Sequence, residues 1–132
     1  MSEEKFDVIV VGAGLAGNTA AYLMAKAGLE VLVIERGETI GCKNVTGGRM
    51  YSHSIEKIFP DFAKEAPIER KITKERISFV TGDSATTVEY AADKLGEQGK
   101  ATYSICRSHF DPWLAGKAEE AGAMYVTGIR VD

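Results

Sequence analysis

The run Gly12-Ala13-Gly14-Leu15-Ala16-Gly17 constrains this chain more than any other six residues. It follows an apolar segment, Val8-Ile9-Val10-Val11, and opens an alanine-rich stretch with helical character. A bare G-x-G-x-x-G is common by chance. One set between a buried strand and a helix N-terminus, with an acidic residue closing the next strand, describes a phosphate-binding turn for a dinucleotide. Gly12 lets the chain leave the strand with dihedrals that a Cβ forbids. Gly14 removes a side chain where a pyrophosphate approaches the backbone, and Gly17 lets the helix lie close on the sheet. The first helical N–H groups lack intrahelical partners and carry the positive end of the helix dipole, so they receive an anion. The next strand, Val31-Leu32-Val33-Ile34, ends in Glu35, whose carboxylate can accept hydrogen bonds from both ribose hydroxyls. The competing reading is a glycine turn in some other α/β protein, with Glu35 a solvated strand end. Strand, turn, helix, strand and acid in order favour the nucleotide.

Composition sets the outer limits. At 132 residues, 45% hydrophobic and 27% charged, the chain has ordinary globular composition and enough length for one core. A net charge of −3 without a basic stripe argues against a nucleic-acid partner. Cys42 and Cys106 form no metal spacing and suit a reducing compartment. Met1-Ser2-Glu3-Glu4-Lys5 is net acidic, a poor start for a signal peptide, and no apolar run approaches the length of a membrane span. The cytoplasm is the default location, with a peripheral membrane role left open.

Along the chain, residues 6–11 read as a first strand, apolar on both faces as in the centre of a parallel sheet. Residues 15–27 read as a helix capped by Gly28, and 30–35 as the second strand, completing a βαβ unit. Residues 36–49 are glycine-rich and aperiodic, a long loop of the kind that is usually functional. Residues 51–59 read as a short helix ended by Pro60, with 61–66 continuing it as a turn. Residues 76–80 and 86–90, joined by Thr81-Gly82-Asp83-Ser84, read as an antiparallel hairpin. Residues 94–100 form a surface loop and 101–106 a strand. A helix starts at Ser108 with Asp111 as a capping-box-like partner and Pro112 in its first turn, and Gly122 stops it. Residues 124–127 are a third candidate for the parallel sheet, and Ile129-Arg130-Val131 begins another strand. With no closing helix after it, the chain reads as the N-terminal part of a longer protein.

Three segments together resemble the flavoprotein superfamily of aromatic hydroxylases, geranylgeranyl reductases and electron-transfer-flavoprotein:quinone oxidoreductases. They are the glycine turn with Glu35-Arg36, the stretch Arg107-Ser108-His109-Phe110-Asp111-Pro112-Trp113-Leu114, and the final pair Ala123-Met124-Tyr125-Val126 and Gly128-Ile129-Arg130-Val131. The run Cys42-Lys43-Asn44-Val45-Thr46-Gly47-Gly48-Arg49-Met50-Tyr51, with Ile34-Glu35-Arg36-Gly37 and the closing Gly128-Ile129-Arg130-Val131-Asp132, is similar to the bacterial FixC branch over essentially the whole chain.

The resemblance implies a Rossmann-like FAD-binding βαβ with a parallel sheet, and an antiparallel hairpin excursion into a substrate-side sheet. It divides the chain into a nucleotide part (1–66), the excursion (67–100) and a return (101–132). It implies that Gly12, Ala13, Gly14, Leu15, Ala16 and Gly17 shape the FAD pyrophosphate site, that Glu35 binds the adenosine ribose, and that Arg36 flanks it. Arg107 would sit over the cofactor, a role suited to a forked guanidinium. Lys43, Gly47 and Gly48 would lie in a loop beside the flavin, and Val131 beside the adenine. The implied activity is electron transfer from electron-transfer flavoprotein toward quinone or a ferredoxin-like partner. The superfamily's downstream Gly-Asp motif and any iron–sulfur cysteine set are not found in these residues.

Rival readings stay open at this level. Arg107 can instead pair with Asp111 at a helix end, and the loop from Lys43 to Gly48 can be merely flexible. The parent can be a geranylgeranyl-reductase-like or hydroxylase-like FAD enzyme, the cofactor can be NAD, or the chain can be a non-catalytic nucleotide-binding remnant. No catalytic residue and no metal ligand is assigned. His53 and His109 read as surface or packing residues and Trp113 as core.

Overall fold

The computed structural model describes residues 5–97 and 99–132; the acidic N-terminus at 1–4 and Gln98 lie outside the described residues. The chain divides into two compact units, one of residues 1–46 and 106–132 and the other of residues 47–105. Residues 47–66 and 101–105 therefore group with the excursion.

The first unit holds a parallel sheet of β1 (Val8–Val11), β2 (Val31–Ile34) and β8 (Met124–Val126), with β2 in the middle. Val8 pairs with Val31 and Leu32 with Met124, so the ladder climbs in step from both neighbours. The expectation that β1 is central is corrected. Val31 and Val33 are fully buried, while Ile9 and Val11 on β1 are exposed. The apolar character of β1 alone does not distinguish a central strand from one at the side.

Helix α1 (Leu15–Lys26) follows β1, and α3 (Arg107–Glu120) follows β7 (Thr102–Cys106). Helix α1 packs on α3 and on β2, through small residues. Ala21 and Ala25 of α1 join Ala118 of α3, Val31, Val33 and Ala123 in one buried cluster. Small side chains let the helix backbones approach closely. Helix α3 starts at Arg107 rather than Ser108, which puts Pro112 inside it. The capping-box expectation is corrected too. Ser108 Oγ lies 3.0 Å from Cys106 Sγ, and Asp111 bonds the Arg107 side chain instead of a backbone N–H. His53 and His109 are exposed, and the Trp113 ring lies 5.2 Å from that of Phe110.

The closing strand expected at 129–131 does not form. Gly128 takes a φ of +74°, open to glycine and strained for other residues, and turns the chain after β8. Its N–H donates to Gly37 O at 2.8 Å and the Ile129 N–H to Glu35 O at 3.1 Å. The segment is thus laid across the end of β2 without becoming a strand.

The second unit contains a sheet ordered β3 (Gly47–Tyr51), β7, β4 (Ile68–Ile72). β4 and β7 are antiparallel, with an irregularity between Ile68 and Arg70. Phe62 of α2 (Phe62–Glu65) is buried edge-on against Tyr103, ring centroids 5.5 Å apart. The helix expected over 51–59 is replaced by the end of β3 and a 3₁₀ turn at Ile55–Lys57, and a second 3₁₀ turn at Asp93–Gly96 overlaps the start of the loop expected at 94–100. β5 (Lys74–Val80) and β6 (Ala85–Ala91) form the antiparallel hairpin, in register from Lys74 with Ala91 to Val80 with Ala85. The α/β fold with a parallel sheet and antiparallel sheets is as the sequence motifs predict.

Candidate functional site

The glycine turn is shaped as its residue types demand. Gly12 has φ +100°, and its N–H donates to Ile34 O at 2.7 Å. A Cβ on Gly17 would stand 1.9 Å from Gly12 O, so only glycine lets α1 begin this close to β1. A Cβ on Gly14 would meet nothing nearer than Arg107 Nη2, at 3.6 Å. The protein itself tolerates a methyl there, so Gly14 keeps open a space rather than a contact. Gly14 is the N-cap of α1 in extended conformation, with no side-chain cap and no acidic residue in the first turn. The positive end of the helix dipole therefore has no compensating charge within its own first turn. Leu15, Ala16 and Gly17 form that first turn.

Glu35 closes β2 and clamps the turn. Its Oε2 accepts from Ala13 N–H at 2.9 Å and its Oε1 from Gly37 N–H at 2.7 Å. Burial pushes its carboxyl up, but these two bonds, with Lys43 and Arg36 nearby, outweigh that and hold it below the usual carboxylate range. The Ala13 N–H is thus engaged within the protein. An anion at this turn would have to use the N–H groups that follow Ala13.

Two cavities flank Glu35. One, of about 270 Å³, is walled by Val11, Gly12, Ile34, Ile129, Arg130 and Val131 along with Glu35 and Arg36. Its aliphatic walls suit the faces of a flat heterocycle. The other, of about 200 Å³, is lined by Ala13, Gly14, Thr39, Gly41, Lys43, Asn44 and Arg107, again with Glu35 and Arg36. Three cations and a helix N-terminus converge there, in a chain of net charge −3. Such a wall suits a diphosphate.

Arg107 pairs with Asp111 at the start of α3 and also borders a cavity. Its Nε and Nη2 reach Asp111 Oδ1 and Oδ2 at 3.2 and 2.8 Å, and it also lines the second cavity. Asp111 is fully buried and takes a third bond, at 2.5 Å, from Asn44 Nδ2. Asn44 thereby ties the 36–46 loop to α3 and brings Lys43 to the cavity. Gly47 and Gly48 begin β3 in the other unit and line neither cavity. Thr39, Gly41, Asn44 and Ile129 were not singled out from the sequence as site residues. The aperiodic loop at 36–49 was the signal for Thr39 and Gly41, and the FixC-like run from Cys42 to Tyr51 already contained Asn44. Among the described residues no cluster of His, Cys, Asp and Glu is placed to hold a metal, and no helix is long and apolar enough to cross a membrane.

Residues 2–101 match the model of the Thi4 family. The chain belongs to the Thi4 family. It is 54% identical over all 132 residues to the probable electron transfer flavoprotein-quinone oxidoreductase YdiS of Escherichia coli K12. It is 55% identical, again over its whole length, to protein FixC of Salmonella typhi. The FixC resemblance carried by the Lys43–Arg49 run thus extends across this Thi4-family chain. The chain spans 31% of the length of each relative. Aklavinone-11 hydroxylase, solved in a ternary complex with FAD and aklavinone, shares the fold with a TM-score of 0.70 over 97% of this chain and 26% of that one, at 20% identity.

Proposed function

We propose that the first unit of this chain binds the adenosine diphosphate half of FAD. The observation that carries this reading is the place of Glu35, between an aliphatic-walled cavity and a cation-walled one. Adenine, ribose and diphosphate need that order. A carboxylate has about four acceptor positions, so the bonds from Ala13 and Gly37 leave room for ribose hydroxyls. Lys43, Arg36 and Arg107 neutralise the diphosphate, with the first-turn N–H groups of α1 beneath it. Ile129 and Val131 flank the base. FAD is favoured over NAD because the relatives are named for flavoprotein electron transfer and the hydroxylase of this fold was solved with FAD. When bound, the flavin supplies the electron-transfer chemistry; this chain's residues hold and orient it.

The wider reading follows the relatives' names. Electrons pass from electron-transfer flavoprotein toward quinone, or toward a ferredoxin-like partner as the resemblance implies. The protein then works in the cytoplasm or at the inner face of the membrane. The assignments of Gly47 and Gly48 to the flavin side, and of the hairpin to a substrate-side sheet, rest on that resemblance alone.

Calorimetric titration with FAD, ADP and NAD tests the core of the proposal. FAD is expected to bind in the micromolar range and ADP to compete with it, with NAD weaker. A folded chain that takes up neither FAD nor ADP sinks the reading. For the electron-transfer part, reduced electron-transfer flavoprotein should bleach the flavin absorbance of the intact protein. FAD binding without that bleaching removes the donor and leaves the cofactor.

A further inference from the structure

Asn18 is out of character with its surroundings. It lies on the buried stripe of α1 with Ala21 and Ala25, positions where an apolar residue packs without polar cost. It is fully buried, and every polar function of its side chain is used. Its Nδ2 donates to Ala13 O at 3.0 Å and to Asp111 O at 3.2 Å, and its Oδ1 accepts from Tyr125 O–H at 2.9 Å. The orientation of the amide is fixed by chemistry, since carbonyl oxygens only accept.

We propose that Asn18 is a positioning residue whose amide nitrogen sets the gap between the phosphate-binding turn and the Arg107 end of α3, and thereby nucleotide affinity. The proposal rests on the FAD reading above. Ala13 is held at both backbone groups, its N–H by Glu35 and its C=O by Asn18. Asp111 is held at its C=O by the same nitrogen, while its carboxylate fixes the Arg107 guanidinium. One atom therefore ties together the two segments that face each other across the anion cavity. Asn18 itself does not line that cavity. Its tie to Tyr125 anchors the amide to β8 and bears on neither carbonyl.

That division supplies the control. Asn18→Leu is near-isosteric and deletes both carbonyl ties. Tyr125→Phe deletes the donor to Oδ1 and leaves both ties in place. At a temperature where circular dichroism shows both variants folded, N18L should bind FAD and ADP about tenfold more weakly, and Y125F within about twofold of the parent. Asn18→Ser, which cannot reach either carbonyl, serves if N18L does not fold, with the same expected loss. A merely structural role predicts affinity losses that follow the stability losses of both variants, and that result overturns the proposal.

Amide hydrogen exchange reads the tie without any ligand. Residues 14–17 should exchange about tenfold faster in N18L than in Y125F. Equal rates overturn the positioning role even where FAD binds. Faster exchange in N18L, in a chain that binds no nucleotide, upholds the tie and defeats the FAD reading instead.

Discussion

Gly14 and Gly17 are three positions apart, and one methyl group separates their roles. Gly17→Ala forces a Cβ to 1.9 Å from Gly12 O, so the turn or α1 must move. A loss of about 3 kcal/mol in urea unfolding is expected, the upper range for overpacking. Gly14→Ala has an ordinary φ of −86° and no contact closer than 3.6 Å. Its stability should stay within about 1 kcal/mol of the parent, while FAD affinity falls at least tenfold because the methyl occupies the anion space. Stability losses in the reverse order would refute this account of the turn. Glu35 adds a pH signature. Its folded carboxyl lies below the usual range, so the stability it contributes is complete above the unfolded value of 4.5 and is lost as pH falls through the lower folded value. Unfolding midpoints measured from pH 6 to pH 3 should fall less steeply for Glu35→Gln than for the parent. Parallel curves would mean that the bonds from Ala13 and Gly37 do not hold the ionised carboxylate.

At the scale of elements, the start of α3 carries a buried, paired charge. Asp111 is fully buried against Arg107 and Asn44. Arg107→Ala would leave that carboxylate without its cation, a change that costs about 3 kcal/mol. Arg107→Lys keeps the charge and loses the fork, so thermal unfolding should place it between the two; equal stability of all three proteins would exclude a structural share for Arg107. A loss of FAD binding in Arg107→Ala is therefore uninformative unless the fold is checked first. This element also marks the limit of legibility. Strand β1, the turn and α1 were readable because period, glycine spacing and caps are local. The hairpin of β5 and β6 was readable from β-prone runs around Thr81–Ser84. The fingerprint from Arg107 to Asp111 was visible, but the sequence could not decide between its alternatives, because one side chain can pair with Asp111 and still border the cavity. The bonds of Asn44 to Asp111, and of Asn18 to Ala13, Asp111 and Tyr125, join residues far apart in sequence, and no pattern announces them. An asparagine at the first place of an otherwise alanine stripe was the available trace. Residues 129–131 misled for a related reason. Their β-prone composition is real, yet the turn at Gly128 and two hydrogen bonds to residues 35 and 37 decide the path.

At the scale of the whole chain, strands of both units leave large apolar side chains exposed. In the hairpin, cross-strand pairing puts Ile77 opposite Val88 and Phe79 opposite Thr86 on one side, with Tyr90 beside them, and Arg76 with Glu89 and Ser78 with Thr87 on the other. The polar side is satisfied, through the Arg76–Glu89 and Lys74–Glu89 ion pairs and a bond between Ser78 and Thr87. On the apolar side Ile77, Phe79 and Val88 are each more than 60% exposed. A two-stranded ribbon of this kind is marginal in water unless another surface covers it. The parallel sheet adds exposed Ile9 and Val11 on β1. The chain by itself should therefore self-associate, with a weight-average mass in sedimentation equilibrium that rises with concentration. The ribbon and the sheet can be told apart as its origin. Ile77→Lys with Phe79→Lys removes apolar surface on the hairpin at positions that bury little, so it should reduce association while shifting the unfolding midpoint by no more than a few degrees. Ile9→Lys probes the sheet in the same way. Association that survives the hairpin pair and disappears with Ile9→Lys would place the contact on the first unit. A parent chain that stays monomeric at every concentration would show that neither surface drives assembly, and that the exposed ribbon is stable on its own cross-strand pairs.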